Sequence, residues 1–254
     1  FSLVWNPNLN DIGGVSQVST IEDRFYVNQC AGLTSLSSIE NIDISNMSSL
    51  SIANSPNLAI CGVSNICDYA SVPGNTVNIS NNAPGCNSLN DVRTACSPFE
   101  GMAPFLTTWK TDSPGTSNST SITIPTTGTG YSYDVDWEND GIYDDFGVTG
   151  SITDDYGTAG TYQVAIRGDF PRIYFNNVGD KEKILSVDQW GDIAWASMER
   201  AFYGAENLVY NAVDAPDLSN VFSMSSMFFG ATSFNGNLNN WDVSNVRFLI
   251  FMFA

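Results

Sequence analysis

The C-terminal stretch VFSMSSMFFGATSFNGNLNNWDVSNVRFLIFMFA, residues 221–254, repeats residues that stand one period earlier in the chain. Val221, Met224, Met227 and Phe228 match Trp195, Met198, Ala201 and Phe202, each 26 residues before them. They also match Val246, Leu249, Met252 and Phe253, each 25 residues later. Gly204-Ala205 recurs as Gly230-Ala231, and Ser219-Asn220-Val221 as Ser244-Asn245-Val246. A period in the twenties is the mark of stacked supersecondary units, each too small to bury its own apolar face. Trp195, Met198, Ala201 and Phe202 stand at i, i+3, i+6 and i+7, which predicts one face of a helical turn. Short strands are expected from Leu218 and from Val243. This Met and aromatic stripe reads as core, with no cofactor assigned to it.

A second repeat fills residues 1–97. Phe1, Leu3, Asn6 and Leu9 follow the pattern L-x-L-x-x-N-x-x-L, and Phe25, Val27, Cys30 and Leu33 repeat it 24 residues on. Leu50, Ile52, Ser55 and Leu58 follow 25 later, then Val77, Ile79 and Asn82 after a further 27. Ile12, Leu36 and Cys61 keep the same register. The pattern resembles the leucine-rich repeat, which implies a short strand followed by a small polar residue turned inward to satisfy the bend. Cys30 occupies that position and is expected to be a buried thiol.

Cys61, Cys67, Cys86 and Cys96 lie beyond it. Four cysteines allow three pairings, and the sequence does not choose among them. Local closure, Cys61–Cys67 with Cys86–Cys96, is the expectation, because a terminal coil lacks a neighbour and needs a staple. Zinc is the rival, although neither spacing is a usual zinc-knuckle spacing. The stretch from Cys61 to Cys96 resembles the C-terminal cap of leucine-rich modules in secreted bacterial surface proteins, and disulfides imply an oxidising compartment.

Residues 98–170 change character. Ser121–Ile124, Tyr131–Trp137, Ile152 and Tyr162–Ile166 supply short alternating runs between turn signals, as an antiparallel β-sandwich requires. "YSYDVDW" and "DYGTAGTYQVAIRGDF" resemble the PKD-type immunoglobulin-like domain, but a longer acidic loop, "DWENDGIYDDFG", replaces that family's tight turn. Asp134, Asp136, Glu138, Asp140, Asp144 and Asp145 gather there, and Asp136, Glu138 and Asp140 ahead of Gly141 match the start of an EF-hand-type calcium loop. Position 12 of that loop is Gly147 rather than glutamate, so calcium is expected to bind weakly, against the plainer reading of a solvated acidic turn. A glycosidase carboxylate pair would need a cleft that nothing here suggests.

From Pro171 onward, Arg172–Asn177 and Ile184–Trp190 read as strands opening a third segment, 171–254. "MSSMFFGATSFNGNLNNWDVSNV" closely resembles the repeat of BspA-like leucine-rich surface proteins. The expected fold is therefore mainly β with short helical turns, with leucine-rich solenoid segments flanking a small PKD-like sandwich. The last coil, Val246–Ala254, reads as unfinished. Phe251 and Phe253 are accordingly expected to be partly exposed or poorly ordered, and Phe228 buried. Phe1 is not an initiator, so the sequence reads as part of a longer chain.

Composition narrows the function. Nine Lys plus Arg against 27 Asp plus Glu give a net charge of −18, a field that repels nucleic acid and anionic membranes. No apolar run approaches the ~20 residues of a membrane span. Histidine is absent, which removes His-dependent triads and most zinc sites. The resemblances together imply a non-enzymatic, extracellular or surface-displayed bacterial protein that binds protein or glycan. A structural spacer, or an accessory region of a larger extracellular enzyme, is the alternative.

Overall fold

The computed structural model describes every residue except Pro73, and Ser16 by its backbone alone. The chain is mainly β, with two α-helices of eight residues each among the described residues. It forms two compact units, Phe1–Glu100 and Gly101–Ala254.

In the first unit β1 (Ser2–Val4), β2 (Arg24–Asn28), β3 (Ser49–Ala53) and β4 (Val77–Ser80) form one parallel sheet in chain order. The register places Leu3 beside Val27, Val27 beside Ile52 and Ile52 beside Ile79, so the sequence repeat is also the pairing register. Strand alternation sends Phe25, Val27, Leu50 and Ile52 into a closed core and leaves Tyr26, Asn28 and Ser51 outside it. Each strand then bends through a left-handed residue at the same register: Trp5, Gln29, Asn54 and Asn81 all have φ between 53° and 57°. The inward polar residue after the bend links the coils. Cys30 N donates to Ser55 Oγ at 3.2 Å, and Ser55 N donates to Asn82 Oδ1 at 3.0 Å. Cys30 is buried and free.

The disulfides correct the expectation of local closure. Cys61 pairs with Cys86 and Cys67 with Cys96, at Cα separations of 5.4 and 5.5 Å. The reason is the stacking. Residues about one period apart lie side by side, whereas Cys61 and Cys67 are separated along the first turn of α1 (Ser64–Ser71). Cys96 ends α2 (Leu89–Cys96), which starts from Ser88, whose Oγ accepts from Asp91 N at 3.0 Å. The bridges close 25- and 29-residue separations, so loop-closure entropy predicts that each contributes about 3.5 kcal/mol. Cys61→Ser/Cys86→Ser should lower the denaturant midpoint accordingly, and non-reducing peptide mapping should recover these two pairs with Cys30 alone alkylated after unfolding. An unchanged midpoint would show that the staple adds nothing to stability.

In the second unit β5 (Phe105–Lys110), β7 (Ser132–Asp136), β8 (Asp145–Val148), β10 (Thr161–Asp169), β11 (Ile184–Gln189) and β12 (Val209–Tyr210) make a six-stranded sheet in the order β12-β11-β5-β10-β7-β8. β6 (Ser121–Ile124) pairs separately with β9 (Ile152–Asp155). The position expected to divide 98–170 from 171–254 lies inside this unit, because Ile184 and Val187 of β11 pair with Trp109 and Thr107 of β5. Phe105, Trp190 and Trp195 pack with ring centroids 5.0–5.6 Å apart, so one aromatic core serves both segments.

Beyond β11 the chain stacks in coils, and the predicted helical turn at Trp195–Phe202 is not one. Alternate backbone N–H groups reach the next coil instead: Met198, Arg200, Phe202 and Gly204 donate to Ser223, Ser225, Met227 and Phe229 at 2.8–3.1 Å. Met224, Ser226, Phe228 and Gly230 donate in turn to Phe248, Ile250, Met252 and Ala254 at 2.8–2.9 Å. Donors committed to a neighbour cannot close the i to i−4 ladder of a helix. Arg200, Ser226 and Phe251 take the left-handed conformation that this alternation demands. No strand forms at Leu218 or Val243, and the pairing nearby is limited to isolated bridges, Ala194 with Asp217 and Ser223 with Phe248. Arg172–Asn177 likewise forms no strand; its Phe175 N donates to Ala201 O at 3.2 Å as an earlier rung of the stack. Phe228 is 2 % exposed, against 68 % for Phe251 and 57 % for Phe253.

Candidate metal centre and polar strand face

The acidic loop joins β7 to β8. Alternation along β7 puts Tyr133 and Val135 into the core and turns Asp134 and Asp136 the other way, yet both carboxylates are buried. They are satisfied differently. Asp134 lies opposite Arg167 in the β7–β10 register, and the guanidinium Nε donates to its Oδ2 at 3.2 Å. Gly147 N donates to its other oxygen at 3.1 Å, and the Arg167 guanidinium also lies 3.8 Å above the Tyr143 ring. Asp136 accepts three backbone N–H bonds, from Glu138 and Asp140 at 3.2 Å and from Gly141 at 2.8 Å. Those bonds wrap the loop around it. Asn139 and Gly141, both at positive φ, let the chain turn that tightly.

The wrapping brings three of the six expected carboxylates together. Asp136, Glu138 and Asp144 each offer an oxygen within 4.8 Å of the other two. Asp134 is committed to Arg167. Asp140 Oδ1 accepts from Ile142 N at 2.9 Å, and Asp145 Oδ2 accepts from the Trp137 indole at 2.8 Å. Gly147, where an EF-hand loop would carry its bidentate glutamate, donates to Asp134 instead. Arg167 is the partner that inspection of the loop missed, and only the strand register reveals it.

Crowding of like charge shows in the titration of the loop. Burial, then the charges of Asp144, Asp136, Asp154 and Asp140, push Glu138 up to about 7. Asp136 and Asp144 are raised too, chiefly by burial, with backbone donors pulling the other way. Glu138 and Asp144 are exposed, so solvent screens much of this repulsion. Three converging carboxylates, topped up by water, are a partial oxygen shell of the kind a hard divalent cation accepts.

The second feature is the outer face of the first unit's sheet. Asn54 Nδ2 donates to Asn28 Oδ1 at 2.9 Å, and Asn81 Nδ2 donates to Asn54 Oδ1 at 3.1 Å, so an amide ladder crosses three coils. Asn28 Nδ2 also donates to the Tyr26 hydroxyl at 3.1 Å. Trp5, 73 % exposed, stands at the matching register beside β1. Arg24 is the one charged residue among the outward positions of these strands, and Asp23 lies 3.5 Å from it.

Residues 173–254 match a family model described as "Mycoplasma protein of unknown function, DUF285". The DUF285 match begins at Ile173, just ahead of the Phe175 rung, and runs through both ladders of inter-coil hydrogen bonds. It covers about a third of the chain and includes neither the acidic loop nor the strand face. No curated protein and no solved structure matches the chain. No helix among the described residues is long and apolar enough to cross a membrane.

Proposed function

We propose that this is a non-enzymatic, extracellular binding protein whose first unit recognises a neutral glycan on its outer strand face. The observation that carries the reading is the amide ladder Asn28–Asn54–Asn81 beside Tyr26 and an exposed Trp5. Planar amides match sugar hydroxyls as paired donors and acceptors, and aromatic rings offer apolar faces to sugar C–H groups. The near absence of charge on this face, in a chain of net charge −18, favours a neutral ligand over a charged one. The two disulfides support an oxidising, extracellular setting.

The architecture in this reading is a leucine-rich solenoid segment with a disulfide cap (1–97), a PKD-like sandwich (98–170) and a BspA-like solenoid segment (171–254). The parallel register of β1–β4 and the repeated inter-coil hydrogen bonds after Trp195 support the two flanking assignments. Labelled full chain on an array of neutral oligosaccharides tests the function. Binding that Trp5→Ala/Tyr26→Ala lowers at least about tenfold is expected, each aromatic contact contributing on the order of 1 kcal/mol. Absence of binding, or equal binding by the variant, would leave a spacer role.

Within this proposal the acidic loop binds calcium through Asp136, Glu138 and Asp144 and stiffens the β7–β8 connection. Calorimetric titration should give an affinity of about 10⁻⁴–10⁻³ M, the range of extracellular modules. The pH dependence has a definite sign. A carboxyl group with a raised folded-state pKa holds its proton more tightly when folded, so its contribution to stability is lost as pH rises from the ordinary glutamate range through about 7. Calcium should therefore raise the melting temperature more at pH 8, where the loop is charged, than at pH 5.5, where protons compete. No shift at either pH at several millimolar calcium would make the loop a plain solvated turn.

A further inference from the structure

A groove of about 400 Å³ opens in the first unit between residues 40–45 and α1. Ile42, Ile44 and Tyr69 close its bottom, nearly shut to water, and Val72, 53 % exposed, is the apolar side chain on its wall. Glu40, Asp43 and Asp68 stand exposed on its rim, and no Lys or Arg lines it among the described residues. The first unit holds eight acidic residues and two arginines, so three of its eight carboxylates meet at this one concavity. The walls are held in place by the fold. Asn65 Nδ2 donates to Ile39 O at 2.7 Å and to Ile42 O at 2.8 Å, and the Tyr69 hydroxyl donates to Met47 O at 3.2 Å. Hydrogen bonds from Ser45 hold the Asp43 carboxyl below its ordinary range, so it stays ionised.

We propose that this groove binds an extended basic peptide by taking a lysine side chain, with the aliphatic stem against Val72 and the ammonium among Glu40, Asp43 and Asp68. A lysine joins an apolar stem to a cationic tip, the same pairing of surfaces that the groove presents. An anionic ligand meets three like charges, and a neutral sugar leaves them uncompensated. The site lies apart from the amide ladder and does not depend on the glycan reading.

The test uses the full chain and a fluorescein-labelled Gly-Ser-Lys-Ser-Gly peptide, with norleucine and glutamate versions in parallel, read by anisotropy. The lysine peptide should bind saturably, and the norleucine peptide about tenfold more weakly. Glu40→Gln/Asp43→Asn/Asp68→Asn should also lose about tenfold, because it removes the three charges that face the ammonium. These amide replacements keep size and hydrogen bonding at the Ser45 turn, and an unchanged thermal melt verifies the fold. Shifts of the Val72 methyl resonances place the peptide in the groove. Non-saturable binding, equal affinity for the norleucine peptide or the triple variant, or shifts confined to Asp134–Asp145 would each overturn the proposal.

Discussion

Phe228→Ala is expected to destabilise the second unit by about 3–5 kcal/mol, the cost typical of a core phenylalanine, while Phe253→Ala costs far less. Phe228 is central to a column of rings. It stacks on Phe202 at 5.7 Å with planes 5° apart, on Phe253 at 5.6 Å, and on Phe234 at 3.9 Å. Removing the ring strips contacts from both adjoining coils at once, and the hydrogen bonds on either side keep those coils from collapsing into the gap. Phe253 has Phe228 and Phe234 as ring neighbours but is 57 % exposed, so its loss opens little enclosed volume. Chemical denaturation of the two variants checks this. Equal losses would mean that Phe202, Phe228 and Phe253 do not act as a stacked column.

Arg167→Met should cost a similar amount, about 3–5 kcal/mol, because it leaves the buried Asp134 carboxylate without its cation. Both side chains are nearly closed to water, at 5 % and 3 % exposure, so solvent cannot take over the charge. The stack of the guanidinium on Tyr143 is lost as well. Adding Asp134→Leu to Arg167→Met should recover most of the loss, since an apolar pair of similar volume carries no buried charge. Urea titrations in chelator, which keep calcium out of the comparison, measure both steps. Failure of the second substitution to recover stability would mean that packing, and not charge, sets the cost of the first.

Much of the first unit was readable from its residues. Leu3, Val27, Ile52 and Ile79 mark the strands because alternation forces one apolar set inward, and Cys30, Ser55 and Asn82 mark the bends because a buried backbone group there needs a short polar partner. The disulfide pairing was misread by reasoning from closeness along the chain. Stacked coils bring together residues about one period apart, and Cys86 and Cys96 stand 25 and 29 residues after Cys61 and Cys67. Phe175 reads as part of a strand and not as a rung because the residues around it share no Met signature with the later coils, although it stands 27 residues before Phe202. The acidic loop was visible as composition, but a list of carboxylates does not say which converge. Asp134 is drawn away by a cation 33 residues distant, brought opposite only by the pairing of β7 with β10.

The crossed order of the two disulfides also bears on what happens under tension. Cys61–Cys86 and Cys67–Cys96 overlap along the chain, so unfolding does not free the segment between Cys61 and Cys96 to lengthen. Without the bridges that segment could be drawn out to about 120 Å at ~3.4 Å per residue. With them, the shortest covalent path runs from Cys61 to Cys67 and across to Cys96, which limits the span to about 30 Å. A pull through this region meets a covalent stop early, and the load passes on to its neighbours with little slack released.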